Sequence, residues 1–233
     1  MYRRWIVFSL CITLSITLFS TEKAANEKSN SEIYAERMEL YQLFNHVYVP
    51  WYYLAAIDQY ERNIQEVRSD IPKREGIVAI QFSNDYWAGE LNPNKEDTSP
   101  ISIGYFGGMG QDGNGDGVAD QQQDEDVILS MASYLGSFGT TIKDFELALW
   151  TYYKSEETVR QILTIVKLYE HFQTIELDQH YFPLPVNYRY SYRGTWGVNR
   201  GWGGKRTHEG TDLFANYGTN VYSTSYGVVE IMG

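Results

Sequence analysis

Two side chains in the last stretch of the sequence have the types and spacing of metal ligands: His208 and Asp212, four residues apart in THEGTDLF. An imidazole nitrogen and a carboxylate oxygen are both ordinary zinc donors, and the surrounding residues are Gly-rich and strand-forming, so the pair reads as half of a metal site. A catalytic zinc takes three protein ligands and keeps a fourth position for water, with a general base beside it. The four histidines stand at 46, 171, 180 and 208, and none follows His208. His171 falls in a helical pattern and His180 beside a Pro-containing stretch, so both read as surface histidines.

A second constellation is DGNGDGVAD, which places oxygen-bearing side chains at alternating positions as a hard cation requires. Asp112, Asn114, Asp116 and Asp120 take positions 1, 3, 5 and 9 of an EF-hand-like loop, with Gly117 at the sharp turn and the Val118 carbonyl at position 7. Position 12 holds Gln123 in place of the usual bidentate Glu, and the adjacent Asp124 is the expected substitute. Without a flanking pair of EF-hand helices, the pattern predicts a lone structural calcium clip; the alternative is an acidic Gly-rich turn with no metal.

These residues need elements to position them. Ile33, Leu40, Phe44 and Val47 fall on one helical face, with Ser31 placed as a start signal. Pro50 opens the next helix, where its missing N–H costs nothing, and Leu54, Ile57 and Ile64 form the apolar stripe. An irregular region and a Gly-rich loop lead to three more helical segments. The first carries Val127, Met131 and Leu135; the second starts near Thr141 with Phe145, Leu149 and Tyr152; the third starts at Ser155 with Glu156 and Glu157 in its first turn. FPLP then stiffens the chain and forbids helix, and beyond it NVYST and GVVEI read as strands around the turn SYG. The expected class is therefore α+β: a mainly helical domain over residues 31–177, a Pro-containing linker over 178–192, and a partial antiparallel β domain over 193–233.

Composition narrows the partners. A net charge of −11 argues against sequence-independent grip on nucleic acid, which needs clustered Lys and Arg to displace phosphate counterions. Cys11 is the sole cysteine, so the globular part has no disulfide, thiolate zinc site or Cys nucleophile. It sits in MYRRWIVFSLCITLSITLFS, where two arginines precede an apolar run. That is the layout of a signal peptide or a short uncleaved membrane anchor over residues 1–25, and either implies export, with membrane contact only through this segment.

Within the helical part, VPWYYLAAIDQYERN, IVAIQFS, FGGMGQDGNGDGVAD and DFELALWTYYKS resemble the lytic transglycosylases, lysozyme-like enzymes that cut peptidoglycan glycan strands. The likeness covers about residues 45–172 and implies that Glu61 is the general acid that protonates the glycosidic oxygen. Glu61 lies four residues from Ile57 and three from Ile64, at the edge of the apolar stripe, where desolvation would raise its pKa. Tyr153 stands where that family commonly has Asn, and AIQ at 79–81 matches its Gly-x-Met-Gln strand loosely. The domain is thus either an active transglycosylase or a fold kept for binding glycan.

The segment TWGVNRGWGGKRTHEGTDLFANYGTNVYSTSYGVVEI resembles the lysostaphin-type zinc metallopeptidases, and FPLP, GGKR and HEGTD are most similar to sporulation-associated L-alanyl-D-glutamate endopeptidases. This resemblance implies a peptidoglycan hydrolase acting on stem peptides, with His208 and Asp212 as zinc ligands. The family takes its third ligand and a catalytic His from a downstream H-x-H, which this sequence lacks. The expectation is a truncated, peptidase-inactive chain, with glycan cleavage through Glu61 or non-catalytic wall binding as the alternatives.

Overall fold

The computed structural model describes residues 28–44, 49–71, 73–201 and 204–230. The expected leader over 1–25 with Cys11, and also His46 and Val47, lie outside the described residues. Among the described residues no helix is long and apolar enough to cross a membrane. The chain divides into two compact units, one up to Ile175 and one from Glu176 onward.

The first unit is helical: α1 Asn30–Leu43, α2 Trp51–Val67, α3 Asn84–Ala88, α4 Pro100–Tyr105, α5 Asp124–Phe138, α6 Ile142–Tyr153 and α7 Glu156–Phe172. Side-chain caps set most of the starts. Thr141 and Asp144 form a capping box at α6, and Ser155 accepts from the Thr158 amide at α7. For α1 the expected start at Ser31 is corrected: the cap is Ser29, because only from there can Glu32 reach back to the cap amide and close a capping box.

α2 packs along α7 and α1, and α5 along α6. Leu54 and Ile57 from α2, Val127, Met131 and Leu135 from α5, Phe145 and Leu149 from α6, and Ile162 and Val166 from α7 are all buried. Each such side chain contributes about 1.5–3 kcal/mol relative to its exposed state. Phe44, just past α1, is buried as expected, but within the helix the buried residues are Arg37 and Tyr41, whereas Ile33 and Leu40 are only half-buried. An arginine enters this core because a carboxylate meets it. Buried Asp58 of α2 accepts from Arg37 at 2.8 Å and from the Tyr41 hydroxyl at 2.5 Å, and also from the Ala79 amide. Through the last bond, and through Arg62 and Gln65 donating to the Ile77 and Ala79 carbonyls, the same helix holds the extended segment 77–81.

Among the described residues the second unit contains four short strands: β1 Ser191–Arg193, β2 Asn199–Arg200, β3 Arg206–Thr207 and β4 Asp212–Phe214. β1 pairs with β4 and β2 with β3, both antiparallel, with Arg193 opposite Asp212 and Arg200 opposite Arg206. Among the described residues, which end at Glu230, the strands expected at NVYST and GVVEI do not form, and Val221 and Val229 are exposed. β-forming side chains make a strand only where a partner ladder runs along them. Residues 178–192 are correspondingly not a free linker. The Tyr181 amide donates to the Thr224 carbonyl, the Tyr222 amide to the Pro183 carbonyl, and Leu184 is buried.

Candidate functional site

His208 and Asp212 are brought together. A turn places the Thr195 carbonyl under the imidazole: the Val198 amide donates back to Thr195, and Gly197 takes φ +78, a left-handed conformation that favours glycine. The His208 amide donates to the Val198 carbonyl and the Gly197 amide to the His208 carbonyl, continuing the β2–β3 pairing up to the histidine. Asp212 opens β4.

The partners fix the tautomer of His208. Its Nδ1 lies 3.0 Å from the Thr195 carbonyl, which can only accept, so Nδ1 carries the proton and Nε2 presents a lone pair. An Asp212 oxygen stands 3.3 Å from that Nε2. Two acceptors so close need a positive charge between them, and Arg200 supplies it. Its Nη2 lies 2.9 Å from His208 Nε2 and 2.9 and 2.7 Å from the two Asp212 oxygens. The Arg200 hydrogen bonds hold the Asp212 carboxyl below its ordinary range, with smaller help from the charge of Arg200. The Thr195 hydroxyl adds a further bond to Asp212 at 3.2 Å. A shallow cavity of about 280 Å³, lined by Arg200, Arg206 and His208 among others, opens beside them.

This donor set suits a zinc ion: a neutral imidazole oriented by its other nitrogen, an ionised carboxylate, and a stand-in cation touching both. It is a set of two. Among the described residues no three His, Cys, Asp or Glu side chains gather as a metal-holding group, and His171 and His180 are both exposed.

In the helical unit, Glu61 sits on α2 and accepts from the Tyr153 hydroxyl of α6 at 2.6 Å. Burial raises its pKa; the Tyr153 bond opposes this and the charge of Asp58 adds to it. Tyr60 packs edge-on against Tyr153, Tyr152 packs against both Tyr153 and Tyr86, and the Tyr152 hydroxyl donates to the Gln81 carbonyl. Beyond Tyr86 lies a cavity of about 440 Å³ walled also by Asp85, Met109 and Lys154.

The Gly-rich loop is held by its own side chains. Asp112 accepts from the amides of Gly115, Asp116 and Gly117, Asn114 from Asp116, Asp116 from Val118, and Asp120 from Gln122. Gly117 takes φ +88, as its position in the pattern requires. Asp124, the expected substitute at position 12, makes its hydrogen bonds outside the loop. It accepts from Arg74 at 2.9 Å and from the Ile77 and Val78 amides, because the α5 N-terminus turns it toward the 74–78 segment. The closing carboxylate is Asp126, fully buried, which accepts from the Gly113, Asn114 and Asp120 amides.

A scan against protein-family models finds no match, and no solved structure matches. Among curated proteins, the L-Ala–D-Glu endopeptidase of Bacillus subtilis (strain 168) is 46% identical over 226 residues, which is 96% of this chain and 69% of that protein. The chain belongs to the L-Ala–D-Glu endopeptidase family. With 96% of the chain aligned, the likeness to this endopeptidase takes in residues of both units.

Sequence reasoning about this endopeptidase-family chain missed Thr195 and Arg200, which orient and bridge His208 and Asp212, and Asp126. The signals were present but not decisive. Arg200 is one of several cations in NRGWGGKR, and Asp126 is one of three acidic residues in the first turn of α5.

Proposed function

We infer that this protein is a peptidoglycan hydrolase of the cell wall that cuts stem peptides at the L-alanyl-D-glutamyl bond, with His208 and Asp212 as two of the protein ligands of a zinc ion. The observation that supports this is the convergence of the two side chains, with Nδ1 of His208 committed to a carbonyl and the Nε2 lone pair turned toward Asp212, in a chain of this family. When bound, the zinc would polarise the scissile carbonyl and lower the pKa of a bound water. Because a catalytic zinc takes three protein ligands, the 233 residues by themselves are expected to bind zinc weakly and to release no stem peptide. The test incubates the 233-residue chain with purified peptidoglycan, with and without zinc, and follows zinc binding by the His208 ring resonances. Zinc-dependent perturbation of His208 that disappears in Asp212→Ala supports the ligand assignment. Zinc-dependent peptide release above blank would overturn the incomplete-site reading, and no zinc effect on His208 would overturn the assignment itself.

A second reading rests on Glu61. A carboxyl whose pKa is raised by burial and which is fixed by the Tyr153 hydroxyl, a ring itself packed by Tyr60, suits a general acid for glycan-strand cleavage. Glycan products with anhydro ends that vanish in Glu61→Gln support it, and unchanged glycan strands refute it. For the loop, the alternation of Asp112, Asn114, Asp116, the Val118 carbonyl and Asp120 supports a structural calcium ion.

A further inference from the structure

A single nitrogen, Nη2 of Arg200, contacts three acceptor atoms of the half-site: His208 Nε2 and both oxygens of Asp212, all within 2.7–2.9 Å. We propose that Arg200 is a built-in competitor for the metal, a tethered cation that holds the two ligands together in the metal-free protein and must leave when zinc binds. The inference rests on His208 and Asp212 being metal ligands.

The chemistry of the imidazole makes the two states exclusive. With its proton on Nδ1 and directed at the Thr195 carbonyl, His208 has one in-plane lone pair, on Nε2. That lone pair either accepts from Arg200 or binds a metal at about 2.0–2.1 Å; it cannot do both. Asp212 has more acceptor positions, yet the same guanidinium nitrogen lies against both of its oxygens. A zinc ion ligated by His208 and Asp212 would therefore stand where Nη2 now stands, and the charges of the two cations repel at that separation.

The surroundings favour exchange over permanent blockage. The Arg200 side chain is 37% exposed and the Asp212 side chain 35%, so the pair is screened by solvent and readily broken. The cavity of about 280 Å³ that Arg200 lines gives the displaced guanidinium room, and Glu209 on its wall is an alternative partner. Arg206, opposite Arg200 in the β2–β3 register and lining the same cavity, places a second positive charge near the metal position. Both arginines thus depress metal affinity, while Arg200 alone contacts the ligand atoms.

The experiment titrates the full 233-residue chain with Zn²⁺ and reads the His208 ring resonances and the Arg200 guanidinium resonances in parallel. In the wild type, Zn²⁺ saturation should release the Arg200 guanidinium, seen as faster rotation and faster hydrogen exchange of its Nη protons. Arg200→Met, which keeps the aliphatic stem and removes the charge, should bind Zn²⁺ about tenfold tighter, the loss of one charge-assisted competitor. Arg200→Lys should fall between the two. Unchanged or weaker Zn²⁺ affinity in Arg200→Met, or a guanidinium still held at saturation in the wild type, would overturn the proposal. Absence of any Zn²⁺ effect on His208 in both proteins would overturn the ligand assignment beneath it, a failure distinct from equal affinities. The wild-type guanidinium readout needs no variant and so does not depend on how the substitutions fold.

Discussion

The cluster around Asp58 offers a quantitative test of what holds the helical unit together. Asp58 is fully buried, Arg37 is 3% exposed, and the carboxylate accepts from Arg37, Tyr41, Arg62 and the Ala79 amide. Asp58→Ala strands the Arg37 charge without its carboxylate and leaves the Tyr41 hydroxyl and the Ala79 amide without their acceptor. Removing one member of a buried ion pair costs about 3–5 kcal/mol, a large fraction of the 5–15 kcal/mol typical of a whole domain. The assay is urea unfolding of the full chain followed by far-UV circular dichroism, reading the midpoint with the denaturant slope held unchanged. Arg37→Met should also destabilise. The double variant should lose clearly less than the sum of the two, because the second substitution removes the charge that the first left unpaired. A loss below about 1 kcal/mol in Asp58→Ala, or strict additivity in the double variant, would refute the argument that this pair governs the packing of α1 on α2.

Other predictions concern the sites. Burial raises the folded-state pKa of Glu61 above its ordinary value near 4.5, so the folded protein binds this proton more readily than the unfolded chain. Stability from this group is full below the ordinary value and falls as pH rises through the raised one. Glu61→Gln should remove that slope, and Tyr153→Phe, by deleting the bond that opposes the shift, should raise the Glu61 titration midpoint further; carboxyl carbon resonances against pH check both. Asp126→Ala leaves the Gly113, Asn114 and Asp120 amides without their acceptor and should lower stability by about 1–3 kcal/mol, with the loop amides losing protection from hydrogen exchange. If calcium occupies the loop, millimolar Ca²⁺ should raise the melting temperature of the wild type and not of Asp112→Ala; equal shifts in both would refute the calcium reading.

Much of the helical unit was legible because its signals are local. The stripe Val127, Met131, Leu135 repeats at helical spacing and is buried as that spacing requires. Thr141 and Ser155 announce helix starts through side chains that reach only three residues. α1 was read less well, because its buried face is made by Arg37 and Tyr41, and only Asp58, twenty-one residues away, makes that burial affordable. Asp124 and Asp126 show the same limit. Two residues apart and alike in type, they separate because one meets Arg74 and the other the amides of the 113–120 loop.

By itself the sequence determined the helical pattern, the donor chemistry of His208 and Asp212, and a likeness strong enough to carry a family assignment. These depend on residue type and short spacing, which the chain carries in any conformation. Tertiary structure alone decided that Thr195 fixes the His208 tautomer, that Arg200 bridges His208 and Asp212, and that NVYST stays outside a sheet. Each of these rests on a hydrogen-bond partner distant along the chain or on the lack of a neighbouring strand, and such pairings come into being only when the chain folds back on itself.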